Sequence, residues 1–409
     1  MKNRVVVTGV GAYSPVGNSW EEIESSLRNK TSGVQYMKEW EVYEGLHTRL
    51  GAPVRRFDLP ANFTRKRIRT MGRVAMLATA ASQKALTDAG LLEDPILKSG
   101  RVGVSYGSST GSTDAVTEIA NMLISKSLDS INATTYIRMM SHTTAVNIGV
   151  FFGLTGRIFT TSSACTSGSQ AIGSAYEAIQ YGSQEIMLAG GAEELCPTEA
   201  AVFDTLYATS TRNEKPETTP RPFDRDRDGL VIGEGACTLI LENRDHAVAR
   251  GAKIYGEIIG YGTNSDGLHV TQPARETMTV AIQLALDNAG LTPESIGYVS
   301  AHGTATDRGD VAESHATYQI FGDRLPISSM KSYMGHTLGA CGALESWFAI
   351  EMMNRGWFAP TINLHNVDPE CAPLDYIQDN GRDLDMEQVM SNNFAFGGIN
   401  TSLIFRRHP

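Results

Sequence analysis

The chain has 409 residues, 41% apolar and 20% charged, with 40 glycines and a net charge of −10. That length exceeds one ordinary hydrophobic core and calls for two domains or one large duplicated body, while the acidic balance argues against a nucleic-acid binder, which needs a dominant basic surface. Five widely spaced cysteines, Cys165, Cys196, Cys237, Cys341 and Cys371, form no paired motif, so neither a disulfide framework nor a metal site is expected and a reducing, cytoplasmic setting fits.

The first apolar run, VVVTGV (5–10), breaks at Gly11 and reads as a strand rather than as a signal peptide. Further strands are expected at 101–107, 185–193, 236–243, 254–262, 296–303, 325–332 and 389–398. Helices are expected at 73–90, 167–182, 277–290 and 342–356, each closing on a glycine. No window approaches the ~20 apolar residues of a membrane span, and AVNIGVFFGL (145–154) reads as a buried helix end. Alternating strands and helices imply an α/β sheet covered by helices. FTTSSAC (159–165) and YVSAHGT (298–304) echo each other, each a strand turning at small residues, which suggests duplication. No linker composition separates the halves, taken as 1–252 and 253–409, so they are expected to pack as one body.

Chemistry concentrates at the ends of these elements. Cys165 sits in TSSACTSGS (161–169) just before a helix, where free N–H groups and the positive dipole end favour thiolate and hence nucleophilicity. Its small neighbours Ser163, Ala164, Ser167 and Gly168 leave room for a substrate and for the backbone. His302 follows a strand in AHGTAT, and His336 lies in KSYMGHTLGACGALE between Lys331 and Glu345. Strand ends are where α/β enzymes place reacting groups. NNFAFGGIN (392–400) sets Phe396 beside Gly397 and Gly398, a hinge with N–H groups able to receive an oxyanion. Together these make an acyl-transfer set of nucleophile, proton handlers and oxyanion donors.

Five motifs occur in order: SSACTSG, RPFDRDRDGLVIGEGA (221–236), AHGTATDRGD (301–310), KSYMGHTLGACGALE (331–345) and NNFAFGGIN. In this order they resemble the β-ketoacyl-acyl-carrier-protein synthases of the I/II type, over essentially the whole chain. The resemblance implies a thiolase fold, two βαβαβαββ halves in a five-layered α/β/α/β/α body, and an enzyme that dimerises with itself or with a homologous chain. It implies that Cys165 accepts the acyl group and that His302 and His336 stabilise the enolate left by decarboxylation. In the same pattern Lys331 orients the second histidine, Glu345 supports it, and Phe396 gates the site, its N–H and that of Cys165 forming the oxyanion hole. Thr304 and Thr306 would hold the phosphopantetheine arm of an acyl carrier protein, with no cofactor or metal of the enzyme's own. Because such carriers are acidic, the basic run TRKRIRTMGR (64–73) is the expected docking patch, with Arg65, Lys66 and Arg69 foremost.

The sequence departs from the family pattern at Ala305, Asp307, Leu230, Ala395 and Ile399. Ala395 strains the gate loop if its φ is positive. Leu230 replaces an aromatic ring near the acyl path, and Thr110 takes a position that limits chain room at a dimer interface. These changes admit specialised polyene or polyketide-like elongation alongside fatty-acid synthesis. A thiolase acting on coenzyme A thioesters fits less well, because its second cysteine is missing from any glycine-framed turn; Cys371 lies in DPECAPL.

Overall fold

Strand β1 (Val5–Tyr13) is buried at every residue but Val10, in the middle of one sheet. The computed structural model describes residues 2–408. The other strands of that sheet are β2 (Val102–Gly107), β3 (Ile158–Thr161), β4 (Ile186–Glu193), β5 (Gly235–Asn243), β6 (Gly256–Ser265), β7 (Tyr298–Ser300), β8 (Pro326–Ser328), β9 (Asp375–Tyr376), β10 (Gln388–Phe394) and β11 (Ile399–Arg406). They lie in the order β9-β8-β7-β10-β11-β6-β1-β5-β4-β2-β3.

That order contains one pattern twice. Outward from the centre the first half runs β1, β5, β4, β2, β3, and the second runs β6, β11, β10, β7, β8. In both, the successive pairs are antiparallel, antiparallel, parallel and parallel. The halves join where β1 meets β6 antiparallel, Val5 opposite Ile258. The repeat extends to single atoms. A Cβ on Gly11 would lie 2.2 Å from the carbonyl oxygen of Ala81 on helix α1 (Arg73–Asp88). A Cβ on Gly262 would lie 2.2 Å from the carbonyl oxygen of Ala281 on the later helix Arg275–Ala289. Each half thus needs glycine facing alanine where its first strand touches its outer helix.

The remaining principal helices are α2 (Thr143–Phe152), α3 (Ser167–Gln180), α4 (Pro197–Asp204), α5 (Arg275–Ala289), α6 (Asp307–Phe321) and α7 (Cys341–Arg355). Three apolar cores separate five layers. One packs α1 and α2 on the outer face of the first half, through Val74, Leu77, Ile148 and Phe151. The central one buries α3 and α7 between the two halves, through Ile172, Ile179, Phe348 and Met352. The third packs α5 and α6 on the second half, through Met278, Ile282 and Ala316.

Several expected strands are shorter than the apolar runs that suggested them. The run 296–303 forms a strand only over Tyr298–Ser300, because the chain turns at Ala301 to present His302. Within 325–332 the strand stops at Ser328 and Lys331 opens a helical turn, Lys331–Met334. The strand expected through residue 398 stops at Phe394, and the chain returns as β11, a fully paired strand that the sequence reading omitted.

Candidate active site

Cys165 lies in a single 3₁₀ turn, Ala164–Thr166, between β3 and α3. The turn forces Ala164 to φ 50°, a left-handed conformation that alanine rarely adopts. Ser167 ties it down: its hydroxyl donates to the Ala164 carbonyl at 2.7 Å and accepts from the Ser163 N–H at 3.0 Å. The small neighbours serve packing more than substrate. A Cβ on Gly168 would lie 2.8 Å from the carbonyl oxygen of Gly339, in the facing turn Leu338–Ala340.

The cysteine and both histidines converge. His336 Nε2 is 2.9 Å from Cys165 Sγ, and the ring centroids of His302 and His336 are 5.2 Å apart, nearly perpendicular. One ligand-type atom from each of the three lies within 4.8 Å of the others. His336 is fixed by its backbone, which donates to Val231 O at 2.6 Å and accepts from Gly233 N–H at 2.8 Å. The backbone of His302 is gripped by Glu313, whose oxygens accept the N–H groups of His302 and Gly303, each at 2.7 Å.

Lys331 is placed differently from expectation. Its Nζ lies 3.2 Å from Nδ1 of His302, the first histidine, and pairs with Glu345. Nδ1 of His336 has no hydrogen-bond partner among the described residues. Lys331 therefore positions His302; it acts on His336 only through its charge. The reason is topological: β8 delivers Lys331 beside β7, on whose end His302 sits. Asn393, which the sequence reading passed over, completes this group. Its Nδ2 donates to Glu345 Oε2 at 2.7 Å and reaches His302 Nδ1 at 3.4 Å.

Burial sets the protonation states. It pushes the Cys165 thiol up, against the opposing pull of the Phe396 N–H, of Lys331 and of Cys165's own N–H. The thiolate expected at a helix start is thus outweighed by desolvation in the resting protein. Burial first, and the Lys331 cation second, drive both imidazoles well below the usual histidine range. The rings are neutral at pH 7. Because Lys331 donates to Nδ1 of His302, the ring proton sits on Nε2 as a donor. Glu313 is pushed up to about 8 by burial, and Asp310 to about 6.

Cys165, His302, His336 and Glu313 line a cavity of about 460 Å³ together with Phe203, Leu230, Thr304, Thr306, Phe396 and Gly398. Thr304 and Thr306 face it as a bonded pair, 2.9 Å between hydroxyl oxygens, with the Thr304 N–H held by Asp310 at 3.0 Å. Phe396 meets Phe203 edge-on at 5.9 Å, a partner the sequence did not single out. The gate glycines do not offer free N–H groups: that of Gly397 donates to Val270 O and that of Gly398 to Ala395 O. They supply left-handed turns instead, φ 93° and 77°, and leave the Phe396 N–H to face the thiol. Ala395 is not left-handed and so is unstrained, whereas Ala305 sits at φ 63°.

Other expected residues stand apart from the cavity. Thr110 is exposed and is not among its lining residues. Arg65, Lys66 and Arg69 are exposed and form no ion pair among the described residues. Two cations of the same basic run are used internally: Arg67 stacks over Phe151 at 3.6 Å, and Arg73 pairs with Glu234. Cys371 is buried beside Asp310 and Arg227, not in the cavity.

Residues 2–247 match the beta-ketoacyl synthase N-terminal domain, and residues 255–365 match the C-terminal domain. The chain belongs to the beta-ketoacyl synthase family. It is 37% identical to the 3-oxoacyl-[acyl-carrier-protein] synthase 2 of Synechocystis over 100% of its own length and 99% of that protein's. It is 60% identical to a beta-ketoacyl synthase from Burkholderia phymatum of known crystal structure, with a TM-score of 0.99 and 100% of both chains covered. It also matches the ishigamide ketosynthase/chain length factor, at 32% identity and a TM-score of 0.91, again over 100% of both chains. These neighbours make the fold a thiolase-like one, and this ketoacyl synthase an acyltransferase by family. Among the described residues no helix is long and apolar enough to cross a membrane.

Proposed function

We propose that this synthase performs a decarboxylative Claisen condensation, joining an acyl group held on Cys165 to the two carbons of a malonyl-acyl-carrier protein. The reading rests on one observation above all, the 2.9 Å contact between Cys165 Sγ and His336 Nε2, with His302 opening into the same cavity. The first half of the chain, 1–252, supplies the nucleophile and the second, 253–409, the histidines.

Acyl transfer begins from a neutral thiol. As the S–C bond forms, the thiol proton passes to Nε2 of His336, and the carrier's sulfur leaves and takes a proton back. The acyl oxyanion is received by the N–H groups of Cys165 and Phe396. Malonyl-carrier then enters with its pantetheine arm against Thr304 and Thr306. Its C–C bond breaks, CO2 leaves, and the electron pair moves onto the thioester oxygen, where the Nε2–H of His302 stabilises it, joined by His336 once its ring proton has moved from Nδ1 to Nε2. The enolate carbon attacks the acyl-Cys165 carbonyl, and the cysteine sulfur departs as thiolate and regains a proton. The enzyme needs no cofactor of its own in this scheme. Exposed Arg65, Lys66 and Arg69 are the proposed docking contacts for the acidic carrier, in a cytoplasmic setting.

The likeness to a ketosynthase/chain length factor supports a second form of the same reading, in which this chain is the active subunit beside a homologous partner. Incubating the protein with acyl-carrier and malonyl-carrier proteins should yield the 3-oxoacyl-carrier, two carbons longer, by mass spectrometry. Decarboxylation with no elongated product, or turnover of acetyl-coenzyme A alone, would overturn the proposal.

A further inference from the structure

Helix α4 packs beside the nucleophile: Ala200 is buried in one apolar cluster with Cys165, Leu230 and Leu338, and Ala201 and Phe203 pack against it. One turn before Phe203, on the same face of the helix, stands Glu199. It is 5% exposed. Among the described residues its Oε2 is buried with no hydrogen-bond partner, and its Oε1 is reached only by the Thr110 hydroxyl, at 3.5 Å.

The surroundings of Glu199 are those of the cysteine turn. The neighbouring Glu193 accepts the N–H groups of Ser109, at 2.8 Å, and Gly339, at 3.0 Å. The Ser109 carbonyl in turn accepts from Ser162, three residues before Cys165, at 3.3 Å. Glu194 is likewise satisfied by Val74, Ser112 and Thr113, and Glu234 by Arg73 and Val54. Of these four carboxyls only that of Glu199 keeps a buried oxygen, Oε2, without a partner among the described residues. Burial first, and Glu193 beside it, push the Glu199 carboxyl well above the usual carboxylate range; in its neutral form it offers one O–H donor and one free acceptor.

A buried polar group left without a partner is costly, and such a group in a native fold calls for an occupant. Phe203 lines the cavity that holds Cys165. Glu199 is not itself among the lining residues; an acyl chain extended from Cys165 past Phe203 along α4 would meet it about 6 Å further on, one helical turn. A plain alkyl chain there leaves the carboxyl unsatisfied. An oxygen on the chain satisfies it.

We propose that Glu199 is a specificity residue of the acyl channel, which selects acyl groups carrying a ketone or hydroxyl oxygen along the chain over plain alkanoyl groups. This rests on the proposed function, since it requires that Cys165 be the acyl acceptor.

The test measures the rate at which Cys165 is acylated, by intact-protein mass, from a ladder of pantetheine thioesters running from hexanoyl to dodecanoyl. Each rung is supplied plain and with a single keto group walked along the chain. The wild-type protein should load one keto position about tenfold faster than its plain counterpart, the worth of one buried hydrogen bond. Glu199→Leu should abolish that preference, and Glu199→Gln, which keeps a donor and an acceptor, should retain part of it. If the leucine variant does not fold, the wild-type ladder and the glutamine variant still decide the matter. Equal loading of keto and plain rungs by the wild type, or a preference that survives Glu199→Leu, overturns the inference and leaves the proposed function standing. A protein that loads no rung at all overturns both.

Discussion

The turn that carries Cys165 has a twin. Ala164–Thr166 leads into α3 in the first half, and Leu338–Ala340 leads into α7 in the second. Both open on a left-handed residue that is not glycine, Ala164 at φ 50° and Leu338 at φ 43°. The residue after each differs, and so does the use of its N–H. In the first turn it is Cys165, with its own N–H and that of Phe396 turned toward the sulfur. In the second it is Gly339, whose N–H is spent on the Glu193 carboxylate at 3.0 Å. Two equivalent helix starts offer the same anion-binding geometry. One holds it open for chemistry, and the other uses it to lock the two halves together.

The largest effect follows from removing the nucleophile from the open turn. Cys165→Ala should lower condensation by about a thousandfold or more, with no acyl adduct by intact-protein mass. Residual elongation near the wild-type rate would place the acceptor elsewhere.

The histidines sharpen the contrast next. His302→Ala should cut malonyl decarboxylation about a hundredfold while loading of Cys165 survives, because only His336 touches the sulfur. His336→Ala should slow both steps. Separate assays of loading and of CO2 release would show whether the two rings divide the work this way.

Lys331→Met tests the lock behind His302. It strands the Glu345 carboxylate, which is fully buried. Breaking one side of such a pair costs about 3–5 kcal/mol, read as a fall in Tm. Adding Glu345→Gln should recover much of it, and no recovery would mean that the pair is not the source of the loss.

Glu313 gives a smaller, pH-dependent signal. Its carboxyl is raised from the usual 4.5 to about 8 in the fold. The native state therefore binds more protons than the unfolded chain between those values. The Glu313 contribution to stability is full below about 4.5 and is lost as pH rises through about 8. Denaturant titrations should show stability declining across that window, with a shallower decline in Glu313→Gln.

The least effect is expected at Ala164, the first of the twin strained residues. Ala164→Gly and Leu338→Gly each relieve a left-handed φ, worth about 1 kcal/mol, but the leucine is also buried against Cys165's cluster. The alanine variant should gain stability and the leucine variant should lose it.

The reacting residues were legible because small residues and strand ends mark them. Cys165, His302 and His336 each stand in such a setting, and all three meet in one cavity. What connects them was not legible. That Lys331 reaches His302 depends on β8 lying beside β7, which spacing along the chain does not encode. Asn393, on β10, and Glu313, on α6, lie inside or just beyond quoted motifs but act through contacts that depend on how those elements pack against His302. The gate glycines were read as donors because glycine loops expose N–H groups, yet here the loop pairs its own. β11 was missed because its apolar stretch is short and close to the chain end, though it is paired on both sides.

β3 closes one end of the eleven-stranded order, with a neighbour on one side only among the described residues. Its last residue, Thr161, stands four positions before the nucleophile. An unpaired strand margin invites another chain, and any chain that aligned along this one would press on a backbone continuous with the cysteine. In this synthase the free margin of the sheet and the nucleophile share a single short length of polypeptide.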